Sequence, residues 1–263
     1  MKPAPFEYER AASVAEAVGL LRDLDYDGKA IAGGQSLMAM LNLRLAQPAC
    51  LVDLSGLTAL RRIEVAEDHV FIGAGVSHAQ IEDGAVPGRL GEIMAAVAHD
   101  IAYRAVRTRG TIGGSLVHAD PAADWPSALL ALDAEVAITG SAGERRLPLS
   151  DFQQGAFTTA LAVDEIVEGI RLPKLSEAAG WGYYKFCRKP GEFAEAIGAV
   201  LIDPDRERRR VVMGAAHSAP RLMDDFEADQ APALVAVAEP GLDDYERQIH
   251  AVALQRAFRE ASA

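Results

Sequence analysis

Two short segments, Ala32-Gly33-Gly34-Gln35-Ser36 and Thr111-Ile112-Gly113-Gly114-Ser115, carry the residue types best suited to chemistry in this chain. Adjacent glycines let the backbone approach a ligand closely and turn where a Cβ would clash. Each pair follows a strand-like run, residues 29–31 in the first case and, less clearly, 105–108 in the second, and each leads into a helical pattern. Backbone N–H groups in such a turn can be aimed at an anion, and the dipole of the following helix adds to the attraction. A pair of such loops can grip a diphosphate.

The elements that must position these loops are legible from hydrophobic periodicity. Val14, Ala17, Val18, Leu21 and Leu24 recur at helical spacing, with Ser13 as N-cap and Glu16 as its capping-box partner. Residues 29–32 read as a short buried strand, and Ser36 is placed to cap a helix whose apolar stripe is Leu37, Met38, Leu41 and Leu45. Residues 50–54, 63–65 and 69–72 read as the strands of one small sheet, with Gly73-Ala74-Gly75 closing the last. A helix is expected over 90–99. Another is expected over 121–132, with Asp120 as cap and Pro121 at its first position. Strands follow at 135–139 and 165–172. The stretch 172–180, with its proline stop and small residues, is the best boundary. Beyond it lie a strand at 182–186, a helix or loop at 193–197, a hairpin of 199–202 with 211–217, and a terminal helix over 245–260. Residues 231–238 are ambiguous.

Composition narrows the function. With 263 residues, half of them hydrophobic, the chain can bury a full core in one or two domains. The formal net charge of -12 argues against a nucleic-acid partner, and the basic run 206–210 reads as a solvated turn. Residues 1–8 lack the basic and apolar regions of a signal peptide and no stretch is long enough to span a bilayer, so a cytoplasmic protein with no membrane span is expected. Cys50 and Cys187 form no C-x-x-C pair and the histidines show no H-x-x-x-H spacing, so the chain is expected to carry no metal or iron–sulfur cluster of its own. The Rossmann pattern fails because His78 stands where its third glycine would be, and no P-loop is present. Neither loop matches G-x-S-x-G, which argues against a nucleophilic hydrolase. The aromatics Trp181, Tyr183, Tyr184 and Phe186 read as core, and Cys187 as a packed thiol beside basic neighbours.

Taken together, residues 32–37 with Arg44, the long stretch 109–124, and Tyr184-Lys185-Phe186-Cys187-Arg188-Lys189-Pro190-Gly191-Glu192-Phe193-Ala194 resemble the FAD-binding medium subunit of molybdenum hydroxylases. The resemblance continues into the terminal helix and so covers nearly the whole chain; residues 109–124 are its most specific part. It implies an α+β fold: a two-lobed FAD-binding domain of the vanillyl-alcohol-oxidase (PCMH) type over 1–174, with lobes of about 1–55 and 56–174, and a small C-terminal α+β domain over 175–263. It implies that FAD is held by Ala32, Gly33, Gly34, Gln35, Ser36 and Leu37 and by Thr111, Ile112, Gly113, Gly114 and Ser115. Uncharged donors of this kind suit a diphosphate on an acidic protein.

The same resemblance assigns Asp124 to the ribityl region, Lys185 to the neighbourhood of the flavin ring, and the Val167 backbone to the ring edge; read without it, Asp124 is a first-turn helix acid and Lys185 a surface lysine. Two departures stand out. Family members often have an aspartate and then an aromatic where this chain has Glu192 and Phe193, and some have histidine where it has Gln35. Phe193 can stack on a ring but offers no hydroxyl, and Gln35 cannot bond covalently to flavin, so noncovalent FAD is expected. The resemblance further implies a molybdopterin-binding large subunit and a 2Fe-2S small subunit as partners, in a dimer of heterotrimers, with an apolar contact patch on this chain. No catalytic residue is expected here, because the organic substrate is oxidised in the partner. A stand-alone reductase of the same fold and a flavin-free assembly subunit are the alternatives.

Overall fold

The computed structural model describes residues 2–223 and 227–263. The chain begins with a three-stranded parallel sheet of β1 (Glu7–Arg10), β2 (Gly28–Ile31) and β3 (Cys50–Asp53), in the order β1-β3-β2. All four residues of β3 are buried, as a central parallel strand requires. Helix α1 (Val14–Leu24) covers this sheet with Ala17, Val18 and Leu21. The Ser13 hydroxyl accepts from the Glu16 N–H at 3.1 Å, but the Glu16 carboxylate reaches back to the N–H of Ala12 and not of Ser13. The next helix, α2 (Leu37–Asn42), departs further from expectation. Ser36 is already in helical geometry and its hydroxyl caps nothing. Because the helix stops at Asn42, only Leu41 of the expected stripe is buried, while Met38 and Leu45 are 42% and 73% exposed.

Strands β4 (Ile63–Val65), β5 (His69–Gly73), β6 (Glu135–Gly140), β7 (Gly143–Pro148), β8 (Gln153–Gly155), β9 (Thr158–Thr159) and β10 (Ile166–Pro173) follow. All but β8 and β9, which pair with each other, form a five-stranded antiparallel sheet in the order β4-β5-β10-β6-β7. Residues 50–73 therefore contribute to two sheets, not one, because the buried β3 is claimed by parallel partners on both sides. Between β5 and β6 lie α3 (His78–Glu82), α4 (Gly88–His99), α5 (Arg104–Arg107), α6 (Ile112–His118) and α7 (Asp124–Ala131), and α8 (Leu149–Phe152) follows β7. Residues 105–108 are thus part of a helical turn and not a strand. The turn is closed by the Tyr103 carbonyl, which accepts from Val106 and Arg107, and the buried Arg107 guanidinium pins it to Glu82 and to the carbonyls of Ile101 and Ala102.

The helix expected from Pro121 begins three residues later, at Asp124. Asp120 folds its own turn instead: its side chain accepts from the N–H of Ala122 and its carbonyl from that of Ala123. The last sheet comprises β11 (Gly180–Phe186), β12 (Ala196–Asp203), β13 (Arg208–Gly214) and β14 (Arg221–Met223), antiparallel and in chain order. Residues 193–195 are loop and 196–197 already belong to β12. Helix α9 (Ala231–Ala238) resolves the ambiguous stretch, and α10 (Asp244–Ala261) is fixed at its start by a capping box of Asp243 and Glu246.

The two faces of this sheet are set by β11. On one face Gly180 and Gly182 let α10 lie against the backbone: an added Cβ would stand 1.9 Å from the Ala261 carbonyl oxygen or 1.7 Å from that of Ala257. Trp181, Tyr183 and Lys185 alternate onto the other face. Trp181 and Tyr183 pack there against the main core, to which α7 contributes and which also takes in Ala199 and Val212. All eight residues of α7 are buried. No helix among the described residues is long and apolar enough to cross a membrane.

Candidate functional site

The two glycine loops meet. A Cβ on Gly33 would lie 2.1 Å from the Arg109 carbonyl oxygen and 2.9 Å from the Gly110 Cα, so the first loop rests on the backbone that enters the second. Gly34, at φ 71°, takes the left-handed conformation that lets the chain turn out of β2 into α2. Gln35 folds back to donate to the Gly33 carbonyl at 3.0 Å. Among the described residues, no hydrogen bond within the chain uses the backbone N–H of Gly33, Gly34, Gln35 or Ser36. Consecutive N–H groups without internal partners remain available as donors to an anion.

The second loop works differently from its expected role. Its N–H groups are largely committed: Ile112 donates to the Val76 carbonyl and Gly113 to that of Ala74, both at 3.0 Å, and Gly114 donates to the Thr111 hydroxyl at 3.1 Å. Gly113 is a packing glycine, since a Cβ there would fall 2.4 Å from the Ala74 Cβ. Gly114 is exposed and meets only the Thr111 hydroxyl, so it leaves the first turn of α6 open to an approaching group. Ser115 is half-buried on the same turn. The second loop thus offers a bare surface and hydroxyls, and the first offers the free backbone donors.

His78 braces this junction. Its backbone N–H donates to the Gly110 carbonyl at 3.0 Å, and its ring lies so close to Gly110 that a Cβ there would sit 2.8 Å from the imidazole. The Trp125 indole donates to His78 Nδ1 at 2.9 Å. Because an indole N–H can only donate, Nδ1 must be unprotonated and the proton of the neutral ring sits on Nε2. Burial, with Arg107 nearby, pushes the imidazole down to about 4. The sequence reading missed this histidine, for which no spacing signal exists.

A second cluster lies where α7 faces β11. Lys185 Nζ donates to Asp124 Oδ2 at 3.0 Å and to the Asp100 carbonyl at 3.2 Å, and the Tyr183 hydroxyl donates to Asp124 Oδ1 at 2.9 Å. Lys185 and Asp124 side chains are only 6% and 5% exposed. Burial pushes the Asp124 carboxyl up, against the stabilising Lys185 ammonium and Tyr183 hydroxyl, and burial beside Asp124 raises the Tyr183 phenol. Lys185 is therefore a buried ion-pair member and not a surface lysine. Beside it, Asp100, Lys185, Cys187, Pro190 and Gly191 line a cavity of about 260 Å³.

The remaining expected residues are placed as follows. Gly191, at φ 84°, packs its backbone on Ala102, and Ala194 donates to the Ala122 carbonyl, so loop 187–195 is held across the cavity's edge. Glu192 lies 3.9 Å from Arg188, and Phe193 is 62% exposed on the loop's outside. Val167 is buried in β10 at an irregularity where the next carbonyl, that of Glu168, accepts from Ala74. Ala32 and Leu37 flank the first loop, half-buried. The structure thus gathers two groups, loop with loop and Asp124 with Lys185, and sets Val167 one step from the second loop through Ala74. No His, Cys, Asp or Glu cluster able to hold a metal occurs among the described residues.

Comparison with known proteins identifies the family. Residues 4–175 match the family described as the FAD binding domain in molybdopterin dehydrogenase. The chain is 38% identical over 219 residues to the nicotine 6-hydroxylase medium subunit of Paenarthrobacter nicotinovorans, covering 82% of this chain and 76% of that one. It is 33% identical to the carbon monoxide dehydrogenase medium chain of Afipia carboxidovorans, over 100% of this chain and 99% of the other. Among solved structures, carbon monoxide dehydrogenase from Hydrogenophaga pseudoflava superposes with a TM-score of 0.91 at 30% identity, covering 100% of this chain and 99% of that one. Quinoline 2-oxidoreductase from Pseudomonas putida 86 superposes at 0.87 and 29% identity, covering 100% and 98%. This protein, with its PCMH-type α+β fold, belongs to the family of FAD-binding medium subunits of molybdenum hydroxylases.

Proposed function

We propose that this chain is the electron-transfer subunit of a molybdenum hydroxylase: its FAD takes electrons from a partner 2Fe-2S subunit and passes them to an external acceptor. The observation that carries the reading is the contact between the two glycine loops, where Gly33, the first of four residues with unpartnered N–H groups, rests on the Arg109–Gly110 backbone that leads into the open first turn of α6. That cradle suits a diphosphate without needing a cation. FAD would be held there noncovalently by Ala32, Gly33, Gly34, Gln35, Ser36 and Leu37 with Thr111, Ile112, Gly113, Gly114 and Ser115. Gly113 and Ile112 contribute by shaping the loop, since their own N–H groups are taken.

The isoalloxazine end would lie toward the cavity beside Lys185 and Asp100, with Asp124 behind Lys185, Val167 on the side of the second glycine loop, and Glu192 and Phe193 on the loop that edges the cavity. When bound, flavin supplies an exchange between one-electron and two-electron chemistry. The chain's own residues bind and orient it: Lys185 presents a fixed positive charge, and loop 187–195 covers the cavity edge against water. In this reading residues 1–174 form the FAD-binding domain and residues 175–263 the domain that closes over the flavin. The partners are a molybdopterin-binding large subunit and a 2Fe-2S small subunit, assembled as a dimer of heterotrimers in the cytoplasm. Met38, Leu43 and Leu45 on and after α2 supply exposed apolar surface for such contacts.

The test is to purify the chain from its host under native conditions and analyse what accompanies it. Stoichiometric flavin, iron and molybdenum with two further polypeptides are expected; a single chain that oxidises a substrate by itself would refute the assignment.

A further inference from the structure

Tyr183 was expected to be simple core, yet it places a hydroxyl in the buried Asp124–Lys185 ion pair beside the cavity. Tyr183 and Lys185 are alternate residues of β11 and so project from the same face of the sheet. Both reach Asp124, at the first turn of α7, and they use different oxygens: Oδ1 accepts from the phenol at 2.9 Å and Oδ2 from the ammonium at 3.0 Å. The phenol is itself held, its ring stacked on Trp181 with centroids 6.2 Å apart and planes inclined by 4°. Lys185 has one further acceptor, the Asp100 carbonyl, on the cavity wall.

A carboxylate with a single cationic donor draws that cation fully onto itself. A second donor on the other oxygen takes up part of the negative charge and fixes the plane of the carboxylate. We propose that Tyr183 is a positioning residue: acting through Asp124, it holds the Lys185 ammonium at the cavity wall and leaves its charge less neutralised on the side that faces the cavity. This rests on the reading that the flavin ring lies beside Lys185. In that position the residual positive charge favours the reduced, more negative ring, so the Tyr183 hydroxyl raises the midpoint potential of the bound flavin. It also gives Asp124 a role in holding Lys185, with each of its oxygens accepting a hydrogen bond from within the chain.

The experiment is a double-variant cycle in the native complex, reading the flavin midpoint potential by spectroelectrochemistry and FAD affinity by fluorescence. Tyr183→Phe keeps the stacked ring and removes only the hydroxyl. It is expected to lower the potential with Lys185 present, to leave it unchanged in the Lys185→Met background, and to alter FAD affinity less than twofold. Tyr183→3-fluorotyrosine, which keeps the ring's shape and strengthens the donor, is expected to move the potential upward and keeps the test available if the phenylalanine variant folds poorly. An equal shift in both backgrounds, or no shift with either substitution, overturns the proposal while leaving the functional reading intact. Failure of the unsubstituted chain to hold FAD overturns the functional reading itself, and the proposal with it.

Discussion

Acidification should loosen the brace beneath the second glycine loop before it unfolds the rest of the protein, and His78 sets the pH range. His78 is 6% exposed, and its imidazole accepts a hydrogen bond from Trp125 at Nδ1 and has Arg107 nearby. Its ordinary value of 6.5 is pushed down to about 4, so the folded state resists a proton that the unfolded chain accepts. The sign follows: with a depressed native value, the stabilising contribution is complete above pH 6.5 and is lost as pH falls from 6.5 toward 4. The span between those values corresponds to about 3 kcal/mol, or roughly 1.4 kcal/mol for each pH unit within the window. Urea unfolding followed by circular dichroism across that window measures it. His78→Gln removes the titration but keeps an acceptor for the indole, so carboxylates elsewhere cancel in the comparison. The unsubstituted protein should lose about 3 kcal/mol more than His78→Gln between neutral pH and about pH 4. Parallel curves for the two proteins would refute the assignment of a buried neutral imidazole. Because the folded imidazole takes its proton only near pH 4, and its ring lies against Gly110, FAD release from the folded protein should begin as pH approaches 4.

Four further outcomes are expected. Gly33→Ala places a Cβ 2.1 Å from a backbone oxygen, so the loops must part by roughly 1 Å and FAD affinity should fall by an order of magnitude or more, read by flavin fluorescence. At Gly114→Val the Cβ would stand 2.9 Å from the Thr111 hydroxyl and meet nothing else, so the variant should lower FAD affinity at the cost of no more than that cap, about 1 kcal/mol of stability, and a collapse in melting temperature would contradict the open turn seen here. Gly182→Ala drives a Cβ to 1.7 Å from the Ala257 carbonyl and should destabilise the packing of α10 on the sheet by about 3 kcal/mol, measured by urea titration. Arg107→Ala leaves the Ile101 and Ala102 carbonyls without their donor while Glu82 keeps Arg104 and His99, and should cost about 2–3 kcal/mol by the same method.

Local pattern revealed the elements whose causes are local. The α1 stripe with Ser13 at its cap, the terminal helix and the strands around 63–73 and 165–172 all carry their periodicity in neighbouring residues. Three things were not legible because their causes lie far away in the chain. The α7 start depends on the Asp120 turn, whose Pro121 carbonyl is tied to Ala215, so Pro121 looked like a helix opener without being one. The assignment of β3 to the first sheet depends on β1, a four-residue strand with every residue exposed and hence no alternation to read. The exposure of Met38 and Leu45 is likewise invisible to a stripe, which shows amphipathicity but not where a helix ends.

At the site, the glycine pairs were visible and their division of labour was not. Gly33 and Gly113 are required by contacts with Arg109 and Ala74, residues remote in sequence, while only the 33–36 backbone keeps its donors free. The Lys185 environment had a signal that went unused: Tyr183 and Lys185 alternate on one strand, and alternation implies a shared face. No pattern identified His78, whose role arises from burial against Trp125 and Gly110.

Noncovalent FAD held between the two loops is the property on which the proposed function rests. Its most direct measurement is to saturate the purified native protein with FAD, remove the excess, record the visible spectrum, then denature it and quantify flavin in the supernatant. Equimolar FAD released into solution, with Gly114→Val depleted of it and still folded, is the predicted result. A correctly folded protein that takes up no FAD, or one whose flavin stays with the precipitated chain, would contradict the account.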